Sequence, residues 1–69
     1  MKNWFRVTFT DGTCQWLHSN RGWSGLIPYI AKLPNEPKYN GATVCTIPRW
    51  EGLVCYIRMI LGDENCEEV

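Results

Sequence analysis

The chain has a single histidine and no surplus of charge of either sign: seven basic and seven acidic side chains cancel. A neutral total argues against binding driven by a general electrostatic field, whether to a nucleic acid or to an anionic membrane. It also argues against a nucleic-acid mimic, which needs a strong negative surplus. The four cysteines, Cys14, Cys45, Cys55 and Cys66, contain no C-x-x-C or C-x-x-x-x-C pair. His18 has no companion at metal spacing, so the close ligand pairs of structural zinc sites are missing. No glycine-rich phosphate loop is present, because Gly22 and Gly25 do not follow a strand at the required spacing. No apolar run approaches the roughly 18 residues of a membrane span, and the longest apolar-rich stretch, 53–61, is interrupted by Arg58. Met1-Lys2-Asn3 leads straight into a strand pattern, with no apolar h-region or small-residue cleavage site. These absences point to a soluble cytoplasmic protein. Its thiols are then kept reduced, as small buried hydrophobes or surface thiols; zinc and a disulfide are the alternatives.

What is present is a globular composition, 45% hydrophobic, with four tryptophans in 69 residues. That length makes one domain. A core of this size rarely supplies more than about 3–5 kcal/mol without a staple, a metal or a partner subunit.

The strongest local signal is Trp4 to His18, WFRVTFTDGTCQWLH. Asp11-Gly12 between two alternating runs predicts a hairpin with a two-residue type I′ turn. That turn pairs Thr8 with Gln15, Val7 with Trp16 and Phe5 with His18. Phe5, Val7, Phe9, Cys14, Trp16 and His18 then share a core face, while Arg6, Thr8, Thr10, Thr13, Gln15 and Leu17 share a mostly solvated one with Trp4.

Downstream, Ser24 is placed to cap a helix of about ten residues, with Leu26, Ile27, Ile30 and Leu33 on one face and Pro34 as its stop. Residues 34–41, PNEPKYNG, read as a mobile connector, and residues 42–47 as a third strand. Residues 49–61 carry helical spacing at Trp50, Leu53, Val54, Ile57, Ile60 and Leu61, with Gly62 as the stop. The segment W-S-G-L-I-P-Y-I from residue 23 aligns with W-E-G-L-V-C-Y-I from residue 50, which supports two helices built alike. The expected fold is α+β: a β-hairpin plus a third strand with two helices on one face, in the order β-β-α-β-α. Residues 1–62 form the domain and residues 63–69 an acidic, frayed tail.

Candidates for chemistry are few. His18 reads as a core-edge residue, and neither Ser19, Ser24 nor the cysteines lie beside a recognisable base. No catalytic residue, metal ligand or cofactor is assigned. Tryptophan and arginine are abundant, and these residues dominate binding hot spots. The predicted partner-binding residues are Trp4, Arg6, Arg49 and Trp50. The expected function is a small non-enzymatic module that docks on a larger protein as inhibitor or adaptor, such as an accessory protein of a phage or mobile element. Self-association is a further expectation, since a three-stranded sheet leaves free edges. The rivals are a single-stranded nucleic-acid-binding domain, with Trp4 and Arg6 on a stacking face, and a zinc-stapled domain.

Overall fold

The computed structural model describes residues 3–69; Met1 and Lys2, at the start of the expected domain, lie outside them. The elements are β1 (Trp4–Thr8), β2 (Cys14–His18), α1 (Trp23–Ala31), β3 (Thr43–Thr46), α2 (Arg49–Ile60) and β4 (Cys66–Glu68). The four strands form one sheet in the order β3-β1-β2-β4. The α+β class and the order β-β-α-β-α stand, with a short fourth strand added.

The hairpin closes one residue differently from the expected register. Phe9 N–H donates to Thr13 O at 2.9 Å and Gly12 N–H to Phe9 O at 3.0 Å, which makes Thr10-Asp11-Gly12 a three-residue loop. A type I′ turn would need positive φ at Asp11 as well as at Gly12. Only Gly12 has it, at +88°, and among the described residues no non-glycine residue does. Asp11 is instead held by Thr13, whose backbone N–H and hydroxyl donate to its Oδ1 at 3.0 and 2.6 Å. The result is a type I turn followed by a left-handed glycine.

Register therefore runs Trp4↔His18, Phe5↔Leu17, Arg6↔Trp16, Val7↔Gln15 and Thr8↔Cys14. A one-residue slip moves every β2 side chain to the other face. Leu17 joins Phe5 and Val7, while Cys14, Trp16 and His18 join Trp4, Arg6 and Thr8. Phe5 and Val7 are buried as expected, but Phe9 and Trp16 are only half-buried, as are Thr8 and Gln15.

Both sheet faces are covered. Phe5, Val7 and Leu17 pack on Leu26 of α1. On the opposite face, Trp4 packs with Ile47, Cys55 of α2 and Cys66 of β4. The helices thus lie on opposite faces, not on one. Strand directions give the reason. β1 is antiparallel to β2 and to β3, and β4 is parallel to β2. The connections β2-α1-β3 and β3-α2-β4 are then both parallel crossovers, and they run across the sheet in opposite directions. Crossovers of one hand that run in opposite directions place their helices on opposite faces.

Residues 63–69, expected as a frayed tail, hold β4. The tail is tied in by its turn and by pairing. Gly62, at φ +88°, ends α2: its N–H donates to Met59 O at 3.1 Å and Asp63 N–H to Arg58 O at 2.9 Å, a Schellman stop. Asp63 Oδ1 accepts from Asn65 N–H at 2.9 Å. Trp16 N–H then reaches Asn65 O, and Val69 N–H reaches His18 O, each at 2.8 Å. Cys66 buries its side chain against the Trp4 cluster.

In α1 the expected cap differs too. Gly22, not Ser24, stands at the N-cap, with no side-chain cap, and Pro28 lies inside the helix. The helix runs close to the end of β2, where Ser19 is fully buried. A Cβ on Gly25 would overlap the Ser19 hydroxyl, so the close approach requires glycine there. The 34–41 connector packs on the hairpin. Thr10 N–H donates to Lys38 O at 3.1 Å, and Tyr39 meets Phe9 edge-on at 5.1 Å.

Candidate functional site: the outer face of α2

The inward face of α2 sets Cys55 and Met59 against the Trp4 cluster, flanked by the charged side chains of Glu51 and Arg58. Gly52 and Cys55 are its buried residues. Glu51 Oε2 accepts from Arg6 Nη1 at 3.0 Å and from Trp16 Nε1 at 2.8 Å. The Arg58 guanidinium lies 5.0 Å from the Trp16 ring centroid, a cation–π stack. Arg58 is fixed in turn by Asp63 Oδ2 at 2.8 Å. The indole of Trp16 is thus clamped between a carboxylate and a guanidinium of the same helix.

The apolar stripe of α2 faces away from the sheet. Trp50, Leu53, Val54, Ile57, Ile60 and Leu61 are all exposed, from 46% at Leu53 to 78% at Leu61, and Tyr56 beside them is exposed as well. Two helices built alike would both turn their stripes to the sheet, and α2 does not. The aligned positions show the contrast: Leu26 of α1 is fully buried, whereas its counterpart Leu53 of α2 is not. Contiguous exposed apolar surface of this kind marks interaction sites on soluble proteins.

The four predicted binding residues separate. Trp4 is 0% exposed; it is a core residue whose ring lies tilted against that of His18 with centroids 5.1 Å apart, because α2 covers the face expected to be solvated. Its burial also removes the stacking platform on which the nucleic-acid reading relied. Arg6 is engaged by Glu51 and also approaches Cys45 Sγ at 3.6 Å. Arg49 and Trp50 are exposed at the start of α2, and Trp50 belongs to the apolar stripe. Leu53, Val54, Ile57, Ile60 and Leu61 are not among the predicted binding residues, because their helical spacing alone does not say which way the stripe turns. The charges on the opposite side of the same helix, Glu51 and Arg58, were the available signal.

The remaining chemistry is sparse. His18 Nδ1 lies 3.3 Å from Glu68 Oε2, and the Ser19 hydroxyl accepts from Arg21 N–H at 3.3 Å. Cys55 and Cys66 are buried, Cys14 is half-buried and Cys45 is exposed, all as free thiols. Burial, with Cys66 beside it, pushes the Cys55 thiol up to about 12. Among the described residues no three His, Cys, Asp or Glu side chains gather into a metal-holding group, and no helix is long and apolar enough to cross a membrane. A cleft of about 210 Å³ lies between the sheet, the end of α1 and the 34–41 connector, lined by Val7, Ile30, Leu33, Tyr39 and Val44 among others. That is smaller than the roughly 300–1,000 Å³ of ordinary ligand pockets.

No protein-family model, curated protein or solved structure matches this chain.

Proposed function

We propose that the chain is a small non-enzymatic protein-binding module that docks on a larger protein, as inhibitor or adaptor, through the outer face of α2. The observation that supports this reading is the orientation of that helix. Glu51 and Arg58 are spent inward on Arg6 and Trp16, and the large apolar side chains of the stripe are left in water. Exposing them costs hydrophobic free energy that only a covering surface returns. Trp50 at one end of the stripe is the kind of anchor that fills a partner pocket, and Arg49 beside it is the kind of rim residue that sets orientation. The setting is intracellular, where four free thiols persist.

The test is capture from an extract of the source cell with mass spectrometry, run side by side for wild type, Ile57→Asp and Arg21→Ala. A partner retained by wild type and Arg21→Ala but lost with a folded Ile57→Asp supports the reading. Undiminished capture by Ile57→Asp places the interface elsewhere and rejects it.

A further inference from the structure

The outer face of α2 has the composition and symmetry of a self-complementary seam. We infer that its occupant is a second copy of this chain, packed helix against helix in antiparallel. The inference rests on the same reading of α2 as a protein-docking face and names what covers it when no larger partner is bound. The larger partner would then displace the second copy.

Spacing is the first argument. Trp50, Leu53, Ile57 and Ile60 follow steps of three, four and three residues, the a/d pattern whose side chains interlock with those of a like helix. Val54 and Leu61 widen the stripe on one side. In a two-fold contact each residue pair occurs twice. Antiparallel pairing about the middle of α2 sets Trp50 of one copy against Ile60 and Leu61 of the other, and Leu53 against Ile57. One bulky side chain thus meets two smaller ones at each end, with branched residues between.

Charge is the second argument. Two copies of a chain with zero net charge approach without mutual repulsion, and a net charge near zero favours association. Arg49 opens α2 and is exposed. Antiparallel packing sets the Arg49 of each copy at the negative C-terminal end of the other's α2, and it aligns the two helix dipoles favourably.

Area is the third. An aromatic side chain presents about 150–250 Å², and a fully exposed aliphatic residue, backbone included, on the order of 150–200 Å². At the observed exposures the six stripe residues therefore offer roughly 600 Å² per copy. Two copies would bury at most about 1,200 Å² from the stripe alone, the lower end of the range for a specific protein interface. A domain of this length also gains most from a partner subunit, because its own core is small.

Sedimentation velocity on the full chain from about 1 µM to about 500 µM tests the inference, since a reversible dimer populates with concentration. Wild type should pass from monomer to dimer over that range. Ile57→Asp, which places a charge at the centre of both halves, should weaken the dimer about 100-fold or more with an unchanged circular dichroism spectrum. Leu61→Asp, beyond the helix end, serves if Ile57→Asp does not fold. Arg49→Glu, which sets a carboxylate against the C-terminal end of the partner helix, should weaken the dimer, and Arg49→Lys should keep it. A wild type that stays monomeric at the highest concentration overturns the inference. So does a dimer unaffected by both aspartates, which would point to the β3 edge. A monomer that instead cosediments with phosphatidylcholine vesicles overturns it in favour of a lipid surface. The two readings part cleanly: a monomer that loses its captured partner with Ile57→Asp keeps the docking function and rejects the dimer. A dimer broken by Ile57→Asp with capture undiminished does the reverse.

Discussion

Two tryptophans in the same chain should respond oppositely to truncation, and the contrast tests the placement of α2. Trp4 is fully buried in the cluster of Ile47, Cys55 and Cys66, whereas Trp50 is 67% exposed. Burying an indole removes about 150–250 Å² from water, worth roughly 4–6 kcal/mol at ~25 cal/mol per Å². Trp4 does not collect all of this. Its Nε1 is buried without a hydrogen-bond partner, and leaving such a donor unpaired gives back about 1–3 kcal/mol. Trp4→Ala is then expected to cost about 3–5 kcal/mol, the usual range for a large aromatic in a core. A core of this size supplies about 3–5 kcal/mol in all, so the variant should sit at the edge of unfolding. Trp4→Phe removes the orphan donor along with part of the area and should cost less than about 2 kcal/mol. Trp50→Ala should stay within about 0.5 kcal/mol. The assay is urea denaturation followed by circular dichroism at about 1 µM chain, where self-association contributes little. A loss below about 1 kcal/mol for Trp4→Ala would remove Trp4 from the core. Equal losses at Trp4 and Trp50 would mean that α2 turns its apolar stripe inward, and the docking face would not exist.

Gly25→Ala would ordinarily stabilise a helix by about 1 kcal/mol, but here the new methyl meets the buried Ser19 hydroxyl. The clash should win, with a net loss of about 1–3 kcal/mol; a gain in melting temperature would refute the close approach. Thiol labelling with an aromatic disulfide at neutral pH should modify exposed Cys45 first and reach buried Cys55 and Cys66 only on unfolding; equal rates at all four would contradict the burial. Alkaline pH should destabilise the fold. The folded-state value of Cys55 is raised to about 12, so the unfolded chain loses this proton first. The stabilisation is complete below the ordinary thiol value near 9 and is lost as pH rises from there towards 12. Cys55→Ala should flatten the fall of the urea midpoint above pH 9, and an unchanged slope would rule this cause out.

Local signals were legible wherever a single residue type decides the backbone. Gly12 marks the hairpin, Gly62 ends α2 on a left-handed residue, and Thr43 to Thr46, β-branched at all but Cys45, form a strand. The same signals did not set register. Asp-Gly permits both a two-residue and a three-residue loop, and the choice fell to the two hydrogen bonds that Thr13 gives Asp11. That one-residue difference carried Trp16 and Leu17 to faces opposite to those expected. The helix sides were illegible for a linked reason. Without β4 there is no second parallel crossover, and nothing then places α2 across the sheet from α1. β4 itself is hidden because Cys66-Glu67-Glu68 has little intrinsic strand preference. It pairs because Asp63 organises its turn and because its charges meet Gln15, His18 and Asn20 along the edge.

The rotation of α2 about its own axis follows from what the sheet presents to it. Beside Trp4, that face carries the Arg6 guanidinium and the Trp16 indole N–H. A helix that laid Leu53, Ile57 and Ile60 on this surface would bury a cation and a donor without acceptors, at a cost of several kcal/mol. Glu51 satisfies both groups with one carboxylate oxygen, and Arg58, seven residues on and therefore on the same side, covers the indole from above. Once those two side chains are fixed, helical geometry leaves no freedom: residues 50, 53, 57 and 60 must point away from the sheet. The polar contacts inside and the apolar stripe outside are thus one choice. It leaves the monomer with a face that water covers poorly, and a protein surface of matching pattern covers better.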